Sequence, residues 1–471
     1  MRSGTLPRRA ERRILARYPP NPGTLSSEST SARALLLDLY DAAITGASPG
    51  PVTSLALRDL PARAEQRIWI YALGKAAVPM AAAAVATLQR SLLRIAGGVI
   101  VSEEAQPAPH PSLVSLRGDH PLPGRNSFTA AAKIGDIAAG KRGDDVSLVL
   151  ISGGASSLIA SPLRGMAESD LGQLFELLLG SGLDIQTVNA IRKRFTRWGA
   201  GRLALALAPS RTHVLIMSDV LGDNAADIGS GPCTPDPTTV KDIVALLQKS
   251  GLLARVAPPM REYLNSVSRG VIPETPKATH PAFAHVSTRI VGSNKQALSA
   301  IQERATDQGL AIELVATPIS GDAAACGAMI ANALLERAAK GVKGVVVWGG
   351  ETTVQLSRNS GGAVTASEQP PSGGRCQELA LAAARRLAQA GDAGLAVTLL
   401  AAGTDGRDGT TDAAGGFADA SVVAMITAAG RDTELALQRH EAHQALHAAD
   451  ALIPRRNTGT NVMDVVIGLI Q

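Results

Sequence analysis

VSLVLISGGASSL, residues 146–158, is the stretch on which the fold turns. The run from Val146 to Ile151 is almost wholly apolar, which is how a strand reads when both of its faces are covered. It breaks at Ser152 into two adjacent glycines and then returns to residues that suit a helix. Gly153 and Gly154 allow positive φ, so that successive N–H groups can converge on an anion, helped by the N-terminus of the helix that follows. A tight strand-to-helix turn with no ligand is the competing reading of this motif taken alone.

The same theme recurs outward in both directions. Apolar runs stand at RIWIYAL (67–73), GGVIVS (97–102), THVLIMSD (212–219), STRIVGS (287–293), AIELVAT (311–317), GVVVWGG (344–350) and LAVTLLAAG (395–403). Ala/Leu-rich helical stretches such as AVPMAAAAVATLQRSL and CQELALAAARRLAQ fall between them. Strand–helix alternation with short links predicts an α/β fold with mostly parallel sheets. At 471 residues the chain exceeds what one core usually supports, so two domains are expected. The segment 268–285, SRGVIPETPKATHPAFAH, is the most linker-like. It separates an N-terminal domain at 31–270 from a C-terminal one at 285–471, whose last segment could pack back on the first. Residues 1–30 read as a disordered, arginine-rich tail.

Charge and composition narrow the function. The net charge is +5, but residues 1–30 carry six arginines against two glutamates, leaving about +1 for the rest. No basic face for nucleic acid is called for, and at 3% aromatics stacking platforms for single strands are not expected. No apolar run reaches a membrane span. Three scattered cysteines give neither a zinc site nor a disulfide framework, and fit a reducing, cytoplasmic setting.

In open parallel sheets ligands gather at the C-terminal ends of strands, and here those ends are rich. Lys75, in LGKAA, follows the first run and opens a helix, where a cation works against the helix dipole unless an anion compensates. Ser152, Gly153, Gly154 and Ser156 form the candidate phosphate cradle. Asp219 ends the run before SDVLGDNAADIGSGPCTPDPTT, and Asn294 and Glu351 follow later runs in GSN and WGGETT. Arg375 precedes a helix in GGRCQELAL, where its guanidinium suits a carboxylate or phosphate. Asp405 opens AGTDGRDGTTD, followed by Asp408 and Asp412. Asp219 and Asp405 are hard oxygen donors that suit Mg²⁺, though aspartates also make turns and helix caps. His440, His443 and His447 share a helix face without a metal-binding motif. His120, in GDHPLPG, is held by a proline turn and its role is open.

Taken together, LGKAA, DHPLP (119–123), LISGGASSLIASP (150–162), NAIRKRF with GRLA (189–204), SDVLGDNAADIGSGPCTPDPTT, GGETT, GGRCQELALA, AAGTDGRDGTTDAAGG and TGTNVMD (458–464) resemble the class II glycerate 2-kinase family with its C-terminal MOFRL-type unit. The likeness covers roughly 35–471. It implies two Rossmann-like α/β domains with an active-site cleft between them. It also implies ATP and Mg²⁺ as cofactors and transfer of the γ-phosphate to the 2-hydroxyl of D-glycerate. The lysine and arginine most tied to catalysis in the family match Lys75 and Arg375. Departures are Ala155 in place of a third glycine, Cys376 in place of an asparagine, and Arg407 in place of an apolar residue. They bear on fine specificity more than on reaction class. The partners implied are glycerate and ATP, with a homodimer as an option the sequence leaves open. An NAD(P)-dependent hydroxypyruvate reductase would want a GxGxxG turn, which is absent. A non-catalytic sugar-acid binding protein could dispense with Lys75 or Arg375, and both are present.

Overall fold

The computed structural model describes residues 27–354 and 372–471. The expected tail lies almost wholly outside the described residues, and Ser27–Thr30, read as its end, already belong to the helix Ser27–Gly46. The chain divides into two compact units. One is continuous, residues 49–293; the other joins the described residues up to Ser48 to Asn294–Gln471.

The continuous unit is built on six strands: β1 (Arg67–Leu73), β2 (Arg94–Ser102), β3 (Leu113–Arg117), β4 (Val146–Ile151), β5 (Arg211–Met217) and β6 (Val286–Gly292). Every pairing is parallel, and the order is β3-β2-β1-β4-β5-β6. β4 is buried along its whole length, as its unbroken apolar run requires. Tyr71, Val99, Val149 and Val214 on the strands pack with Ala131 and Ile134 of the helix Arg125–Ala139. Each large side chain so buried stabilises the fold by roughly 1.5–3 kcal/mol. A separate cluster, with Leu171, Phe175, Ile191, Ile243 and Leu264, unites the helices Glu168–Leu179, Ile185–Arg194, Val240–Lys249 and Pro258–Ser268.

The proline-bearing segment does not end this unit. β6, expected to open the second domain, pairs with β5 as the sixth strand of the first sheet. The boundary therefore lies after Ser293. Prolines stop helices and forbid ladder bonds, but they do not stop a chain from returning to the same sheet afterwards.

The second unit contains β7 (Ile312–Leu314), β8 (Ile319–Asp322), β9 (Gly344–Thr353), β10 (Val397–Gly403), β11 (Ala413–Asp419), β12 (Leu452–Pro454) and β13 (Asp464–Ile470). Their order is β12-β11-β10-β13-β9-β7, with β8 also on β9. β7 and β8 run parallel to β9, whereas the other four pairings are antiparallel. The expectation of mostly parallel sheets thus holds for the first unit and fails for this one. Unbroken apolar runs report burial on both faces, and a sheet covered by helices on both faces gives that signature whatever its strand directions. Here the helix pair Ala323–Ala339 and Arg375–Gln389 packs on the sheet, and the pair Ser27–Gly46 and Asn294–Asp307 packs on it as well.

The first described helix belongs to this sheet through specific bonds. Arg33 forms an ion pair with Asp419 at 2.9 Å, Tyr40 donates its hydroxyl to the Gly403 carbonyl at 2.5 Å, and Thr460 donates to the Ala47 carbonyl. A sequence reading that assigned this helix to the N-terminal domain could not see bonds that span so much chain.

Candidate functional site

In the first unit the strand order reverses direction at β1, with β2 on one side and β4 on the other. A parallel sheet binds ligands at that switch point, beyond the strand ends. The two turns that flank it are the one after β1, carrying Lys75, and the one after β4, carrying Ser152–Ser156.

The two turns divide the work. In the first, every amide is used: Gly74 donates to Val101, Lys75 to the Gly153 carbonyl at 2.9 Å, and Ala76 to Ser152 Oγ at 2.9 Å. In the second, the amides of Gly153, Gly154 and Ser156 have no partner among the described residues. Gly154 has φ +81°, and a Cβ there would lie 3.3 Å from Lys75 Cε and 3.5 Å from His120 Cδ2. A Cβ on Gly153 would fall 1.9 Å from Asp219 Oδ2, so the carboxyl of Asp219 rests on the bare backbone. The glycines are thus required by close approach, not only by the turn.

Side chains complete this cluster. Lys75 is exposed, and its Nζ stands 3.6 Å from Glu103 Oε1. The same oxygen lies 3.1 Å from His120 Nδ1. Burial, and then the cation of Lys75, hold His120 below the ordinary imidazole value, with Glu103 opposing and Arg192 adding to the effect. Arg192 donates to Ser157 Oγ at 3.0 Å and stacks 4.0 Å from the Phe175 ring centroid. Burial lowers its pKa to about 10, and no carboxylate of the described residues pairs with it. Asp219 is pushed upward by burial, against its own amide and Lys75. Ser156 receives a hydrogen bond from Ser230, tying the cradle to the loop after β5.

A buried ionic network holds that loop. Lys193 Nζ lies 3.4 Å from Asp236 Oδ1, Arg194 pairs with Asp236 and Glu274, and Lys277 donates to the carbonyls of Asp236 and Thr238. Arg202 caps the same helix by donating to the carbonyls of Lys193 and Arg194.

The second unit has a different centre. Arg375 begins its helix with its guanidinium forked onto Asp464 at 2.5 and 2.8 Å, and onto Glu351 at 3.0 Å. Burial opposes its charge, but the Asp464 pair more than offsets this and the pKa rises. Asp405 makes a turn by accepting from the Arg407 amide. Its Oδ1 would be 2.9 Å from a Cβ on Gly403, with Asp464 Oδ1 at 3.5 Å from the same point. Asp408 is a helix cap: it accepts from the amides of Cys376 and Gln377 and from the Gln377 side chain. Burial still lifts it to about 6, with Asp464 adding to the effect. Asp412 pairs with His443 at 2.7 Å.

Of the residues singled out from sequence, the structure gathers Lys75, Ser152, Gly153, Gly154, Ser156 and Asp219 around one switch point. Glu351, Arg375 and Asp405 belong to the other centre. Asn294 has a structural task in that unit: both amide hydrogens are taken, by the carbonyls of Val462 and Asp464 at 2.9 Å. Its Oδ1 would be 1.7 Å from a Cβ on Gly349, so β9 needs a glycine where Asn294 lies against it. His440 pairs with Glu378, and His443 stacks on His447, as packed side chains do. Sequence reasoning missed Glu103, Arg192 and Asp464. Arg192 and Asp464 sit inside quoted motifs, but only the fold shows which partners they meet.

Residues 35–265 match the family described as a domain of unknown function, DUF4147, and residues 344–464 match the MOFRL family. A D-glycerate 2-kinase of Thermotoga maritima is 33% identical over 409 residues, 86% of this chain and 91% of that protein. The chain belongs to the glycerate 2-kinase family. Another relative, the glycerate 2-kinase of Pyrococcus horikoshii, is 32% identical over 86% of this chain and 87% of its own. One from Agrobacterium vitis bears the provisional name hydroxypyruvate reductase and is 33% identical over 92% of this chain and 94% of its own. The glycerate kinase crystal structure from Thermotoga maritima aligns with a TM-score of 0.80 and 31% identity, covering 94% of this chain and all of that one. Within this glycerate 2-kinase family member, no described helix is long and apolar enough to cross a membrane.

Proposed function

We propose that the protein transfers the γ-phosphate of ATP to the 2-hydroxyl of D-glycerate, giving 2-phosphoglycerate and ADP. The observation that carries this reading is the free amides of Gly153, Gly154 and Ser156, grouped with Lys75 at a sheet switch point. Phosphoryl transfer needs positioned cations and donors more than covalent chemistry. In this reading the cradle holds a phosphate and Lys75 neutralises charge on the moving group. Arg375, fixed by Asp464 and Glu351, presents a rigid guanidinium edge to substrate.

Magnesium fits the donors present. A carboxyl resting against an anion cradle repels phosphate unless a cation lies between, and Asp219 is so placed. No group of three or more metal-binding side chains is gathered among the described residues. Asp219 would therefore hold an ion jointly with phosphate oxygens, as Mg²⁺ usually is held, and Asp405 is a carboxylate donor of the same kind within its own unit. When bound, the ion supplies charge neutralisation to the phosphates. With its three cysteines free, the enzyme suits a reducing cytoplasm.

The reductase name of the Agrobacterium relative makes the second reading worth testing. Dinucleotide folds seat the pyrophosphate on free amides after β1, and here those of Gly74, Lys75 and Ala76 are all engaged. Purified protein with Mg-ATP and D-glycerate should release ADP and form 2-phosphoglycerate. The 3-isomer would break the regiochemistry, and NADH oxidation with hydroxypyruvate but no ADP would favour the reductase.

A further inference from the structure

We propose that His120, oriented by Glu103, is a catalytic residue that takes the proton from the acceptor hydroxyl during phosphoryl transfer. This rests on the kinase reading above and adds a role to it. Glu103 Oε1 lies 3.1 Å from His120 Nδ1. A carboxylate only accepts, so the charge of Glu103 beside Nδ1 favours the neutral tautomer with its hydrogen there, which leaves the lone pair on Nε2. Nε2 has no hydrogen-bond partner among the described residues. The ring edge that carries it, through Cδ2, faces Gly154, beside the free amides of the cradle.

The step balances. The 2-hydroxyl oxygen forms a bond to the γ-phosphorus as the bond from that phosphorus to the ADP oxygen breaks. The hydroxyl proton passes to Nε2, and the imidazolium later returns it to solvent. Three charged groups face the ring: Lys75, Glu103 and Arg192. Burial, and then the two cations, keep the ring neutral and receptive near pH 7, while Glu103 stabilises the imidazolium as it forms. A positioned base of this kind contributes about 10²–10⁴ in rate.

Two measurements test this. The first is the pH–rate profile of the wild type, His120→Asn and Arg192→Gln, with melting temperatures to establish that each folds. His120→Asn should lower kcat about 100-fold or more, leave KM for Mg-ATP within a few-fold, and abolish the acidic limb. Arg192→Gln removes a cation and should move that limb to higher pH. A His120→Asn enzyme that keeps the wild-type limb, or turns over within a few-fold of wild type, overturns the proposal. The second is ¹⁵N NMR of the His120 ring in the resting enzyme, which needs no activity. Hydrogen on Nδ1 and titration below the ordinary value support the base; hydrogen on Nε2 at pH 7 overturns it. A wild type that gives no ADP with glycerate would instead sink the kinase reading, and the ring state would still be read independently.

Discussion

The two centres both pair cations with carboxylates, yet they do so in opposite ways. Lys75 is exposed and its contact with Glu103 is loose, at 3.6 Å. Arg375 is forked onto a carboxylate, Asp464, that is 2% exposed, and touches a second one. The first centre has cations and amides in excess of their partners, and so is charged in wait for an anion. The second has its charge already answered, and so is a rigid surface. Electrostatic preorganisation can take either form: unspent donors bind, and saturated ones hold shape.

The sharpest way to break this contrast is to truncate each cation. Lys75→Ala should lower turnover by about 10³-fold or more, while the melting temperature stays nearly unchanged, because only a half-exposed pair is lost. Arg375→Ala should also lower turnover steeply. Unlike Lys75→Ala, it should destabilise the fold by about 3 kcal/mol, because Asp464 is left buried and unpaired. Turnover assays with thermal or urea unfolding check both, and equal stability losses would erase the distinction.

Gly153→Ala is the next largest effect. Its Cβ would collide with the Asp219 carboxyl, so nucleotide KM should rise about tenfold or more. Removing Mg²⁺ with a chelator should then have a smaller relative effect on nucleotide binding than in wild type. Isothermal titration of Mg-ATP and of ATP alone measures it. Unchanged affinity would mean that the cradle is only a turn.

Asp408 provides the smallest test, and one specific to the saturated centre. Its folded pKa of about 6 lies above the ordinary 3.8. The folded state therefore binds the proton more tightly, and this group's contribution to stability is present below pH 4 and lost as pH rises toward 6. Linkage makes this roughly 2–3 kcal/mol. Unfolding followed between pH 4 and 7 should show that slope in the wild type, flattened in Asp408→Asn.

The parts legible in sequence were those that burial writes into composition. All eight apolar runs are strands, because Val, Ile and Leu have few other uses at that density. β11 was not legible: AAGGFAD lacks the β-branched residues that mark a strand, and it follows directly on the aspartate-rich stretch 405–412. Tertiary cover over-rides propensity there, since all seven residues are buried. The aspartates of 401–416 show the same limit for chemistry. Asp405, Asp408 and Asp412 look alike in sequence, yet one makes a turn, one caps a helix and one meets His443. Lys75 and the glycine cradle were legible because close backbone approach leaves few residue choices. Glu103 was not, for a glutamate after a strand has no signature until a histidine from a distant turn arrives beside it.

The helix Ser27–Gly46 has a consequence for how the protein is made. It leaves the ribosome before any of the strands it packs on, and β13, which it also contacts, is synthesised last. The continuous unit 49–293 can close on itself while translation proceeds. The other must keep an apolar helix, with Leu35, Leu36, Leu39 and Tyr40 fully buried in the finished fold, waiting in unfinished company. For that interval the nascent chain carries a sticky segment ahead of a folded body, the kind of species that chaperones meet. The helix Asn294–Asp307 and β10 can cover part of it earlier, and β13 completes the cover.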